Sequence, residues 1–357
     1  MPYAFHLADG TFSEWIKELH EQYNSEVVRI SPNDISFICA SAWKDICGPR
    51  PGHRPFEKDV AVYGKAPNGI DTLLTAKKQD HSRMRRVLDH AFSTKALKEQ
   101  EPLILASIDK LVRCLHNQVT RPYAGKVDLT NWYRWMSFDV TGDLAFGESF
   151  NCLESEANHP WVQMVFGNLQ GIVFMNACSR FPLFASVLPY LIPSRITKMM
   201  DDHWASTKAK LARRIANGTA RQDFLSPILE NNTDKGLMNG EIESNASLLI
   251  IAGSDSVASS ITGSTWFLTK HPEVMEKLKD EINQAFSKEA DITIKSVDQL
   301  PYLAAVVDEV LRIYPVALAG QASIIPPKGD TVAGYWLPGN VSSNSSLSCL
   351  NFLQLQI

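Results

Sequence analysis

A mainly helical fold with a small β-rich lobe is predicted by three features of this sequence. Apolar residues recur at helical spacing over most of the chain between residues 80 and 315. Glycine, proline and short β-branched runs gather instead toward the two ends. The 357 residues are 45% hydrophobic and 21% charged, enough to bury a large core.

Taken in order, residues 11–23 start at a Thr or Ser cap and place Trp15, Ile16 and Leu19 on one helical face. Val27–Ile30 reads as a short strand, closed by Ser31-Pro32-Asn33-Asp34, with Ile35–Ile38 as its partner. Residues 50–78, rich in proline and glycine, read as a long irregular loop. Helices are expected at 80–98, 101–118, 130–146, 159–177, 194–216, 240–269, 272–287 and 301–313. Glu241 and Glu243 suit the first turn of the longest, where the helix dipole favours negative charge. Beyond Pro315, runs such as Thr331–Tyr335 suggest small strands and turns. The serine-rich stretch from Ser342 has no periodicity, so 1–341 is expected to form one partial domain and 342–357 an atypical, disordered tail.

A net charge of -4 and a pI near 6.2 provide no basic face for nucleic acid. Six cysteines without a CxxC pair argue against a zinc module or a disulfide framework and for reduced thiols in an intracellular protein. The N-terminus lacks the pattern of a signal peptide, and no run reaches the ~18 apolar residues of a membrane span. Residues 171–193, broken by Asn176, Arg180 and two prolines, read as a buried helix pair, with contact to a membrane surface as the other possibility.

Three segments carry chemistry. In Leu248–Ser256 a helix apolar on nearly all sides contains Ala252-Gly253, then Asp255 and Ser256. Glycine inside a helix costs about 1 kcal/mol relative to alanine, a cost that room for a ligand would explain. A close helix crossing would give the same pattern. In Pro301–Pro315, Glu309 and Arg312 stand three apart on a mostly apolar helix, which favours a structural ion pair over a solvated one. In His81–Ser93, His81 and Arg85 share a face that suits an anionic group or, equally, a basic solvent-facing stripe.

In this order the segments resemble the cytochrome P450 family, over residues 14 to 341. Ala252-Gly253-Ser254-Asp255-Ser256 is similar to the motif of that family's long central helix, which implies that Asp255 and Ser256 deliver protons and that Ala252 and Gly253 border the haem. Glu309-Val-Leu-Arg312 resembles the ExxR motif, implying a structural pair beside the haem. His81 and Arg85 match the helix that contacts a haem propionate, with His81 where tryptophan is commoner. The opening helix and strand (Leu19–Tyr23, Val27–Asn33), Ala42–Ile46, Leu300–Leu303 and Gly334–Gly339 resemble fungal microsomal members. The fold implied is a cytochrome P450-like helical body with a small β-rich lobe, its C-terminal part missing.

What the resemblance implies for function is haem-dependent hydroxylation of an apolar small molecule of secondary-metabolite or xenobiotic type. Electrons would come from NADPH-cytochrome P450 reductase, at the endoplasmic reticulum membrane where members usually reside. Loop 64–76, residues 165–195 and Val316, Ala317 and Leu318 would shape the substrate pocket. The thiolate that holds the iron defines this chemistry. The loop carrying it in the family has no counterpart here, and neither does the N-terminal anchor. Cys349 lacks flanking glycines and is not the expected ligand, so no metal ligand is assigned. A gene model or transcript leaving the usual frame near Asn340, a splice form or a decayed gene would each look like this. Catalysis by the chain as written is therefore not expected. The alternative is a non-catalytic, truncated member that binds an apolar ligand or partner without functional haem. An unrelated all-α terpene cyclase is disfavoured, because Asp201-Asp202 lacks the further acid of a metal site.

Overall fold

Residues 2–53, 56–59, 63, 66–120, 126–159, 173, 177–178, 194–218, 221, 223–230, 236–316 and 322–345 are described in this computed structural model. In chain order the helices are α1 (Pro2–Asp9), α2 (Phe12–Gln22), α3 (Ala40–Cys47), α4 (Lys78–Asp89), α5 (Thr94–Thr120), α6 (Leu129–Phe146), α7 (Cys152–Ser155), α8 (Ser194–Ala216), α9 (Leu225–Glu230), α10 (Asn239–Lys270), α11 (Pro272–Ala285), α12 (Ile294–Val297) and α13 (Pro301–Ile313). The strands are β1 (Val27–Ser31), β2 (Asp34–Phe37), β3 (Glu57–Lys58), β4 (Ala322–Ile324), β5 (Asp330–Val332), β6 (Tyr335–Leu337) and β7 (Ser342–Ser345). The helix expected at 159–177 falls almost wholly outside the described residues.

The helical body is organised by α10, which lies against α6. Its buried face comprises Ile242, Ala246, Ile250, Ser254 and Ala258. The first three share one apolar cluster with Met84, Val87 and Leu88 of α4 and Phe138, Ala145 and Phe146 of α6. At the crossing the Thr141 methyl lies 3.4 Å from where a Gly253 Cβ would stand, ordinary contact distance, so Thr141 packs directly against α10 there. By length and composition α10 alone among the described helices is apolar enough to cross a membrane, with 33% of its most apolar window buried. Its packing between α6, α8, α11 and α13 is that of a core helix.

Sequence and structure differ at the expected junction of helices near residue 100. The break falls instead at Ser93, whose backbone is extended and whose hydroxyl accepts from the Ala96 amide at 3.2 Å. From there α5 runs unbroken through Pro102. An interior proline costs roughly 3 kcal/mol. Burial of Ala96, Gln100, Ser107 and Leu111, with Gln100 donating to the Ala91 carbonyl at 3.0 Å, offsets that cost.

The lobe combines both ends of the chain. Strands β1 and β2 pair antiparallel across the Pro32-Asn33 turn, with Val28 opposite Ser36. The first four residues of the stretch expected to be an irregular tail, 342–345, instead form β7 at the centre of a five-stranded sheet ordered β1-β2-β7-β4-β3. β7 runs parallel to β2 and antiparallel to β4, and Ser343, fully buried, donates to the Ser323 carbonyl at 3.1 Å. Two neighbouring ladders satisfy its backbone, which serine propensity alone would not have produced. Residues 346–357 lie outside the described residues. The Thr331–Tyr335 run forms the β5–β6 hairpin, with Val332 and Leu337 buried against α3 and β2.

His20 ties α2 to this lobe. It is 4% exposed; its Nδ1–H donates to the Ser25 carbonyl at 2.7 Å, and the Ser36 hydroxyl donates to Nε2 at 2.9 Å. Burial holds its pKa below the usual 6.5, against the pull of the Ser25 carbonyl. The unfolded chain therefore takes up this proton first, and the histidine's contribution, present above pH 6.5, is lost as pH falls. Urea midpoints should drop between pH 7.5 and 5.5, and the drop should shrink in His20→Gln. Equal drops in both chains would contradict this assignment.

Candidate functional site

The candidate site follows one stripe of α10. Ala252, Ser256 and Gly263 lie at offsets of four and eleven residues, nearly in line along the helix. Ala252 is exposed although it lies mid-way along a core helix, and the Ser256 hydroxyl donates back to its carbonyl. Further along, the Tyr314 ring, just past α13, occupies the space beside Gly263, where an added Cβ would stand 2.8 Å from the ring. Apolar side chains that a finished core would bury remain open here. Ile251 and Val257 of α10, with Val307 and Leu311 of α13 and Tyr314, are 37–48% exposed. Apolar side chains left open on two helices packed against each other suit a ligand or an interaction face.

Asp255 is placed differently from Ser256. Its Oδ1 is 3.7 Å from Nε of Arg134, on α6. Sequence reasoning had no signal for this partner, 121 positions away. Glu309 and Arg312 do form the expected pair, two parallel bonds of 2.6 and 2.7 Å from Nη2 and Nε. The Arg312 guanidinium holds the Glu309 carboxyl below its ordinary range. The pair is more open than the sequence suggested, Glu309 being 56% exposed. α13 itself is seated by Glu281 of α11, whose carboxylate accepts from the Tyr302 and Leu303 amides at 2.8 and 2.9 Å.

The basic face of α4 gains a member that the sequence did not single out. Lys58 of β3 donates to the Leu73 carbonyl at 3.3 Å and lies in the field of Arg85. Burial, then Lys58 and Arg85, push the His81 pKa below its ordinary value. Burial and Arg85 do the same to Lys58. Two cations, Lys58 and Arg85, thus crowd His81 and keep it neutral, while the exposed Asp89, 3.6 Å from Arg85, stands in opposition. Such crowding suits an anion. The helix is fixed by Arg83, which donates to both oxygens of the buried Glu241 at 2.5 and 2.9 Å and to the Gly236 carbonyl at 2.7 Å. Glu241 therefore does more than face the helix dipole.

The described residues fit a haem on two sides: an apolar floor broken by Ala252 and Gly253, and a cationic corner of the right sign for propionates. A thiolate is not among them. Cys39 and Cys47 bound α3 in the lobe, Cys114 is on α5, Cys152 starts α7, and Cys178 lies on neither α10 nor α13. Cys349, Ala317 and Leu318 lie outside the described residues, while Val316 is half-buried. No cluster of three metal-ligating side chains occurs among the described residues.

A helical body around one long central helix, with a mixed lobe beside it, is the architecture of haem-dependent oxygenases. It overlays a crystal structure of the cytochrome P450DA heme domain with a TM-score of 0.76 at 16% identity, covering 98% of this chain and 74% of that one. The family model for cytochrome P450 matches residues 5–340, and the chain belongs to that family. It is 39% identical to a cytochrome P450 monooxygenase, astA, of Talaromyces wortmannii, over 95% of this chain and 68% of the relative. It is 35% identical to averantin hydroxylase of Dothistroma septosporum, over 96% and 64%. Haem is the cofactor that family and fold imply, and members use a redox partner and a small-molecule substrate.

Removing Arg83 would leave Glu241 buried without its cation. Arg83→Ala should destabilise the chain by about 2 kcal/mol, the scale of a hydrogen-bonded charge left unpaired. Denaturant unfolding measures this, and a loss within error of zero would contradict the anchoring role.

Proposed function

We propose that this chain supplies the distal face, the propionate contacts and part of the substrate side of a haem-thiolate monooxygenase that hydroxylates an apolar small molecule. The observation that carries the reading is the exposed stripe of α10, where Ala252 and Gly253 interrupt an apolar helix beside an acid and an alcohol. When bound, haem supplies the oxidation, with electrons from NADPH-cytochrome P450 reductase. The protein's part is positioning and proton handling. Arg85 and Lys58 hold carboxylates through charge, and His81 holds them through a hydrogen bond. Ile251 and Val257 keep water from the floor of the site. Ser256 Oγ and Asp255 Oδ would hold and pass protons on the side of α10 that faces the bound group. Val316 closes the substrate side, with Ala317 and Leu318 beside it in sequence. A substrate of secondary-metabolite type is supported by relatives such as averantin hydroxylase.

A second reading, in which the chain binds an apolar ligand or partner without functional haem, is favoured by the placement of the described cysteines away from α10 and α13. The absorption spectrum of the purified, haem-loaded chain, reduced and exposed to carbon monoxide, separates the two. A thiolate-type Soret band supports the monooxygenase. Bound haem without that band, or no haem, supports the second reading.

The cationic corner has its own test. Arg85→Ala should weaken haem binding about tenfold, as expected for loss of a charge-assisted bond. Haem titration followed by absorbance measures the shift, and unchanged affinity would remove Arg85 from the site.

A further inference from the structure

Three Asn-Gly dipeptides occur in this chain, at Asn68, Asn217 and Asn239. Glycine has no side chain to shield its backbone nitrogen, so all three asparagines share an intrinsic readiness to deamidate. In that reaction the glycine nitrogen attacks the carboxamide carbon of the asparagine before it. A C–N bond forms, the bond to the side-chain nitrogen breaks, and ammonia leaves with the proton. Water then opens the ring at either carbonyl, giving aspartate or isoaspartate, and nothing is oxidised or reduced. The attack requires the asparagine to swing out of its helical or turn conformation. What separates the three is therefore how firmly the fold holds them.

Two of them are held on several sides. The Asn68 carboxamide donates to the Gly240 carbonyl at 3.1 Å and accepts from the Ile70 amide and the Ser244 hydroxyl, each at 3.0 Å. Asn239 opens α10, and Ile70 packs so closely on the next residue, Gly240, that a Cβ there would collide with it. The Gly240 carbonyl is bonded by both Asn68 and Ser244. Asn217 is placed differently. It follows Ala216, the last residue of α8, and is exposed. Its carboxamide meets no hydrogen-bond partner among the described residues, and the space beside Gly218 is open. The Gly218 amide makes one turn bond, to the Ile215 carbonyl at 3.1 Å, at a helix end where such bonds open readily.

We propose that Asn217 is the site of spontaneous deamidation in the folded chain, and that the change unfastens the turn joining α8 to α9. That turn is held from inside by Arg214, 3% exposed. Arg214 donates to the carbonyls of Gly218 and Arg221, to both oxygens of the buried Asp223, and to the Ser226 hydroxyl. Asp223 accepts in turn from the Leu225 and Ser226 amides, each at 3.0 Å, and so caps α9. Either product places a new carboxylate at the C-terminal end of α8, where the helix dipole disfavours negative charge. Arg213, one turn back, is already bonded to Glu148 at 2.6 Å. Isoaspartate also inserts a methylene into the main chain, which carries the Gly218 carbonyl away from Arg214. A buried guanidinium then loses an acceptor, and the junction of α8 and α9 weakens.

The test incubates the full chain in mildly alkaline buffer, once folded and once in denaturant, and follows each asparagine by peptide mass mapping. Deamidation adds one mass unit, and an isoaspartate methyltransferase reports the isoaspartate share. In denaturant the three sites should convert at similar rates. In the folded chain Asn217 should stay within severalfold of its denatured rate, while Asn68 and Asn239 slow by about tenfold or more. Asn217→Gln should stop conversion at that position. Folded-state conversion of Asn68 or Asn239 as fast as that of Asn217 would overturn the choice of site, as would an Asn217 slowed as strongly as they are. The separated deamidated form should unfold at a lower urea midpoint than the parent chain. Asn217→Asp should show the part of that loss due to charge, without the added methylene. Equal midpoints for the parent and deamidated chains would overturn the unfastening of the turn.

Discussion

The approach of α10 to α6 governs what the rest of this molecule can do. Thr141 packs against α10 at Gly253, and around that point Ile242, Ala246 and Ile250 enter the core with Phe138, Ala145 and Phe146. With one side of α10 committed to this packing, the stripe through Ala252 and Ser256 is left on another side. That stripe stays open because small and polar residues there bury little apolar area, and because Tyr314 closes against Gly263 only further along. The same crossing brings Arg134 to Asp255. A change in crossing distance would therefore disturb the core, the open stripe and the Arg134–Asp255 contact together.

Secondary anchors hold the other parts of the site to this frame. Arg83 binds α4, and with it His81 and Arg85, to Glu241 at the start of α10. Asn245 of α10 accepts from the Leu73 amide at 2.7 Å, and Lys58 donates to the Leu73 carbonyl, so one loop residue links the cationic corner to the central helix. Glu281 seats α13 through the Tyr302 and Leu303 amides of its first turn. Of these, Lys58 also belongs to the proposed ligand surface. Arg83, Asn245 and Glu281 fix the elements that carry the other proposed ligand residues.

Much of this was legible in the sequence because it is local. The limits of α6, α10 and α13, the β1–β2 hairpin and the β5–β6 turn follow from periodicity, caps and turn residues that lie within a few positions of one another. The Glu309–Arg312 pair was legible for the same reason, being an i, i+3 contact. What was not legible depends on residues distant in the chain. Ser342–Ser345 becomes a strand only because β2 and β4 stand on either side of it. Asp255 finds Arg134, and Lys58 joins His81 and Arg85, through packing that composition does not encode. The break at Ser93 and the uninterrupted passage through Pro102 were misplaced because tertiary burial outweighed a local cost.

The claim on which the functional account stands is that haem lies against α10, between α4 and α13. Hydrogen exchange of the full chain with and without added haem tests it most directly, since it reports where the backbone becomes protected whether or not the iron gains a thiolate. The account predicts new protection around residues 251–257, 81–85 and 307–314, with little change in α1 and α2. Protection confined to other elements, or none at haem concentrations that change the absorbance, would contradict it.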